Sequence, residues 1–214
     1  MLRMSACGMG RTISKLMDMT NTISNNFKQI LKKQQGLEYH FINIIRQPAT
    51  QKDLLSVETE LNFSLNDELK ELYLFADGTD IDNKTPSGLT GLIPIHNFLS
   101  LNDAIFYYKT SIKFEDAFYN SEKDYKPGEK LFPFLEDGAG NCYWVDLNNA
   151  SGNYGKIFWT NTFGQEPDYT FSSLSSMFQV ITDAYNGDII TIDEKGYLDC
   201  DYNAFEKLCR DQKL

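Results

Sequence analysis

The chain has 214 residues, 42% of them hydrophobic, and a formal net charge of −10. That length carries one domain with a full core, or one domain plus an extension, and the apolar content argues against disorder. No apolar run is long enough to span a bilayer, so no membrane role is expected, and an acidic chain repels phosphates, which argues against nucleic acid as the main partner.

The charge is unevenly placed. Residues 1–50 carry seven Lys/Arg and two Asp/Glu, a balance of +5, while the remainder carries a balance of −15. An acidic body permits a basic protein partner, drawn in by long-range attraction. The start, MLRMSACGMGRTISKLMDM, has no continuous apolar stretch, so no signal peptide is expected. Cys7, Cys142, Cys200 and Cys209 show no paired spacing, which points to free thiols in a reducing, cytoplasmic compartment. His40 and His96 are the only histidines and neither stands at ligand spacing from a cysteine, so no metal is expected.

In chain order, residues 12–35 place Ile13, Leu16, Met17, Ile23, Phe27, Ile30 and Leu31 at loosely helical spacing, with Gly36 as the stop. Residues 37–47 are apolar and β-branched, and read as a strand or as the tail of that helical arm, ended by Pro48. Thr50, with Asp53 three residues on, opens a helix through Leu54, Val57 and Leu61. Asn66 or Ser64 caps a second helix, whose Asp67, Glu68 and Glu71 suit its own dipole and whose Leu69, Leu72, Tyr73 and Phe75 form the buried side. Residues 77–91 are a polar loop. Leu92 to Ile95 reads as a short strand whose Pro94 marks a sheet edge. Leu101 to Phe118 is a helix capped by Asn102 or Ser100, and Lys123 to Lys130 is a charged loop.

The stretch Leu131 to Asn161 reads as an antiparallel meander. Leu131 to Leu135, Cys142 to Leu147 and Lys156 to Thr160 are its strands, separated by Asp137-Gly138-Ala139-Gly140-Asn141 and by an Asn/Ser/Gly-rich turn. Alternation puts Tyr143, Val145 and Leu147 on one face, and Trp144 and Asp146 on the other. Phe171 to Tyr185 is an amphipathic helix stopped by Asn186-Gly187. Asp188 to Asp193 and Tyr197-Leu198 form a last pair of strands, and Ala204 to Cys209 a closing helix capped by Asp201 or Asn203.

Four stretches in this order resemble the SUKH superfamily, in the branch of the yeast cell-wall-assembly regulator and its bacterial relatives. ATQKDLLSVETELNFSLNDELKELYLFADGTDI resembles the paired N-terminal helices, with Glu58 or Glu60 as the central acid. Leu65-Asn66 stands where the family has Leu-Pro. GLIPIHNFLSLNDA resembles the strand leading into the middle helix, LFPFLEDGAGNCYWVDL the Asp-Gly-x-Gly hairpin, and KIFWTN with the helix from Phe171 the closing elements. The resemblance covers about residues 49–186. It implies an α+β fold, a bent antiparallel sheet with helices packed against it, and no catalysis. We therefore expect a helical N-terminal extension over residues 1–48 and a SUKH-like domain over 49–214. The resemblance also implies a binding function. An immunity protein that neutralises a polymorphic or contact-dependent toxin is the first expectation, and a regulatory interaction module in cell-wall synthesis or signalling is the alternative.

The chemical motifs support no catalytic residue. The Asp137–Asn141 stretch lacks the Lys and Ser/Thr of a P-loop and the alternating acids of an EF-hand, so it reads as a hairpin turn. Asp77, Asp80 and Asp82 read as a solvated loop rather than a cation site. His96 has no nucleophile or orienting acid near it in sequence. No cofactor is expected. The candidate partner-binding residues are Asp80, Asp82, Glu136 and Asp137, read as turn or loop carboxylates that reach solvent and meet a basic toxin domain. The expected state is a monomer or weak dimer.

Overall fold

A computed structural model describes residues 22–81, 85, 88–118, 130–160 and 168–211. Among these, the helices are α1 (Thr22–Gly36), α2 (Gln51–Leu61), α3 (Asp67–Phe75), α4 (Leu101–Phe118), α5 (Leu174–Asn186) and α6 (Tyr202–Asp211). The strands are β1 (Gly91–Ile93), β2 (His96–Phe98), β3 (Leu131–Glu136), β4 (Cys142–Asp146), β5 (Ile157–Thr160), β6 (Asp168–Phe171), β7 (Ile190–Ile192) and β8 (Leu198–Cys200). β1 to β6 form one curled antiparallel sheet in sequence order, and β7 and β8 a separate hairpin. The fold is α+β, as expected.

The meander follows from its turn chemistry. β3 and β4 pair from Leu131↔Asp146 to Glu136↔Cys142, and β4 and β5 from Cys142↔Thr160 to Val145↔Ile157. The alternation holds. Val145 and Leu147 enter the main core with Tyr143 at its margin, while Trp144 joins Leu131, Cys142 and Phe158 on the opposite face, where Tyr107 of α4 packs.

Phe27 of α1 stands at the centre of the main core. Its ring lies 5.1 Å from Phe75, 5.4 Å from Phe178, 5.9 Å from Phe98 and 6.4 Å from Phe41. One side chain thus ties α1 to the end of α3, to α5, to β2 and to the short 3-10 turn at His40–Asn43. Ile23 and Ile30 flank it, fully buried, and Leu16 falls outside the described residues.

Several local readings shift. Residues 37–47 are neither strand nor helix tail, but that 3-10 turn and a single bridge, Ile45↔Thr79. The Thr50–Asp53 capping box is present, and Asn66 caps α3 by accepting from Leu69 N–H at 2.9 Å. Ser100 and Asp201, each one of two alternatives, cap α4 and α6. The run expected as one strand to Ile95 breaks at Pro94. Proline fixes φ and lacks an N–H, so it starts a two-residue turn, and the chain returns as β2. Phe171 ends β6 instead of starting α5, because Ser173 is extended and caps that helix.

Gly78 shows how tightly the loop after α3 packs. Its φ is +74°, and a Cβ there would lie 2.3 Å from the backbone nitrogen of Ser100. Both the conformation and the space demand glycine.

Replacing Phe27 with Ala is expected to cost about 3–5 kcal/mol, the range for emptying an aromatic site in a packed core. Urea unfolding of the Phe27→Ala chain measures it. A cost below about 1 kcal/mol would mean that α1 is only loosely docked.

Candidate functional site

The four sequence-predicted residues fall in different environments. Asp80 is exposed on the turn after α3, its N–H donating to Ile44 O at 2.7 Å, and its carboxylate meets Arg46 Nη2 at 3.2 Å. A solvent-exposed pair of this kind contributes about 0–1 kcal/mol, so the carboxylate stays free to exchange partners. Asp82 lies outside the described residues.

Glu136 departs from the expectation that it reaches solvent. β3 runs one residue past Leu135, so Glu136 is held between Asn97 of β2 and Cys142 of β4 and is 6% exposed. Its Oε1 accepts from Asn97 Nδ2 at 2.8 Å, and its Oε2 from Tyr107 OH at 3.0 Å and from Gly138 N–H. Thr90 Oγ1 extends this chain by donating to Asn97 Oδ1. A buried carboxylate is tolerated only when its lone pairs are met, and three donors meet these. Burial first, then the Glu136 charge, pushes the Tyr107 hydroxyl above its ordinary range. Burial likewise pushes the Cys142 thiol up, with Glu136 and Asp137 adding to it, so that thiol is a poor nucleophile.

Asp137 is half-buried, and its carboxylate folds back onto its own turn. Its Oδ1 accepts from the N–H groups of Ala139 at 2.8 Å and Asn141 at 3.0 Å, and its Oδ2 from Asn141 Nδ2. The Asp-Gly-Ala-Gly-Asn stretch is thus an Asx-locked hairpin turn. Glu136 and Asp137 share one end of the sheet, and Asp80 sits on a different loop.

Two groups of residues were missed. The first is a set of exposed acids, Asp193, Glu194, Asp199, Asp201 and Glu206, on the β7–β8 hairpin and the start of α6. Their signal was present as the charge run DEKGYLDCDYNAFE. The second is a row at the sheet end beside Asp137. The His96 ring lies 5.0 Å from that of Tyr143, and Tyr143 pairs with Trp159 across β4 and β5. His96 is 8% exposed, with Nδ1 3.0 Å from Pro94 O. That contact suits a proton on Nδ1 and leaves Nε2 a bare acceptor. Nε2 and the Trp159 Nε1 are both buried without a partner among the described residues. Burial depresses the His96 pKa below 6.5, against the Pro94 carbonyl and the Asp137 and Glu136 charges. Among the described residues its Nε2 thus faces no group that it could deprotonate.

Among the described residues, no cluster of His, Cys, Asp and Glu could hold a metal ion, and no helix is long and apolar enough to cross a membrane. The arrangement offers surfaces to a partner: an exposed carboxylate at Asp80, an acidic C-terminal hairpin, and a sheet end with apolar and aromatic groups.

The model of the SMI1 / KNR4 family (SUKH-1) matches residues 48–180, more than half of the chain, from the start of α2 into α5. α1, β7, β8 and α6 lie outside the match. A search of curated proteins finds no match.

His96 makes stability depend on pH. Its folded pKa lies below the unfolded value of 6.5, so as pH falls through that value the unfolded chain takes up the proton first. Stability is therefore full above about pH 6.5 and declines below it until the folded pKa is reached. Urea unfolding from about pH 7.5 to about pH 5.5 should show a decline that is shallower in His96→Gln. Equal slopes in the two chains would remove His96 as the cause.

Proposed function

The chain belongs to the SMI1 / KNR4 family (SUKH-1), and from that premise we propose that it is a non-catalytic protein-binding domain acting as an immunity protein. In this reading it sits in the cytoplasm as a monomer or weak dimer, and binds and neutralises a polymorphic or contact-dependent toxin of basic character. The supporting observation is electrostatic. The chain carries a net charge of −10, with exposed carboxylates at Asp80 and along the β7–β8 hairpin. Such a surface attracts a cationic cleft, of the kind that binds phosphates, from a distance and speeds encounter. Glu136 does not serve as a contact here, since replacing it would break the Thr90–Asn97–Glu136–Tyr107 chain and confound stability with binding.

The expected outcome is that co-expressing the full chain restores growth to cells producing the toxin domain encoded beside its gene. The purified pair should bind more weakly as salt rises from about 0.05 M to about 0.5 M, because exposed charges are screened over about 10 Å at 0.1 M. Asp80→Asn should slow association more than it speeds dissociation, the pattern of a rim charge. No rescue and no binding, together with altered cell-wall synthesis on deleting the gene, would replace this reading with the regulatory one.

A further inference from the structure

We propose that Ile95, at the tip of the β1–β2 turn, is the apolar anchor that enters a pocket on the basic toxin domain, a deepening that rests on the immunity reading. Ile95 has φ +62° and is 52% exposed. Positive φ is a rare and costly state for a β-branched residue, and the position suits Gly or Asn. Half of the side chain faces solvent, so core packing does not explain why Ile stands there. The next residue, His96, carries the buried Nε2 without a partner among the described residues. Two adjacent residues thus break local rules, Ile95 by its backbone and His96 by a buried nitrogen without a partner among the described residues. Backbone strain of this kind gathers where a surface is shaped for a partner.

The surroundings suit an anchor. Pro94 restricts the turn, so holding Ile95 outward costs little ordering on association. The next residue, His96, has its ring 5.0 Å from that of Tyr143, which pairs with Trp159 in the register of β4 and β5. β2 begins where β3 ends, so the Asp137–Asn141 turn lies beside it, and Gly138, Ala139 and Gly140 there are exposed and small. A partner surface can approach the backbone closely over them. The net charge of −10 favours a receiving pocket with Lys or Arg on its rim. An apolar anchor seated in a pocket with a charged rim is the common anatomy of a binding hot spot.

The test uses the full chain and the toxin domain found by growth rescue, with its active site disabled. Ile95→Asn keeps a residue that accepts positive φ while removing the apolar group. It should melt at the same temperature or a few degrees higher, and bind the toxin domain about 30-fold more weakly. Ile95→Leu, which restores an apolar side chain, should bind as the unaltered chain does. An Asn variant that binds with undiminished affinity overturns the proposal, and so does one that melts clearly lower, since Ile95 would then serve the fold. Sedimentation that shows self-association abolished by Ile95→Asn, with toxin binding intact, assigns the tip to a second copy of this chain instead. If the unaltered chain binds no toxin domain, the immunity reading falls and this proposal with it.

Discussion

Carboxylates on α3 and the turn after it hold the first turns of three other helices. Glu71 Oε1 accepts from Ser24 N–H of α1 at 2.9 Å. Glu68 Oε2 accepts from Leu174 N–H at 2.9 Å, and its Oε1 from Ser175 N–H and Oγ, at the start of α5. Asp77 Oδ1 accepts from Leu101 N–H of α4 at 2.8 Å. The first N–H groups of a helix have no partner within it, and a carboxylate satisfies both the donors and the positive end of the dipole. α1, α4 and α5 therefore begin near α3. The ring contacts of Phe27 with Phe75, Phe98 and Phe178 are the packing counterpart of that convergence.

The same layout blunts the exposed edge of the sheet. β1 is an end strand, whose outward backbone groups would invite pairing with another chain. Tyr39 OH accepts from Gly91 N–H at 3.1 Å and donates to Gly88 O at 3.0 Å. Tyr185 OH donates to Leu92 O at 3.1 Å and accepts from Gln34 Nε2 at 2.8 Å. Two tyrosines take the place of a neighbouring strand. Gln34 belongs to α1, outside the family match, so that helix contributes both the central ring of the core and part of the edge cover.

Local chemistry was legible, and long-range partnership was not. Thr50 with Asp53, the alternation through Val145, and the Asp137–Asn141 turn could be read because each rule acts within a few residues. Glu68 and Glu71 looked like servants of their own helix dipole, since a carboxylate in a first turn satisfies that rule whether or not it reaches another helix. The recipients stand 106 and 47 residues away in sequence. Glu136 misled for a related reason. It abuts Asp-Gly, so it resembled a turn residue, yet Asn97 and Tyr107 draw its carboxylate inward. The Pro94–Ile95 turn was hidden because it is apolar, and Ile has no propensity for positive φ to announce it.

The acidic balance of the chain is therefore two populations. Glu68, Glu71, Asp77, Glu136, Asp137 and Asp146 accept hydrogen bonds from backbone or side-chain donors within the fold. They still add to the field felt at a distance, but their oxygens are committed and poorly placed for direct ion pairs. Asp80 and the hairpin acids differ in being exposed, where water and salt weaken each pair, although Asp193, Asp199 and Asp201 also accept from nearby backbone N–H groups. A field built this way raises the rate of encounter with a cationic partner more than it slows departure. Slow dissociation needs desolvated apolar contact at the centre of the interface. In the proposed reading the two requirements are separable: the exposed carboxylates steer, and lasting contact falls to Ile95, which is 52% exposed at a positive-φ turn.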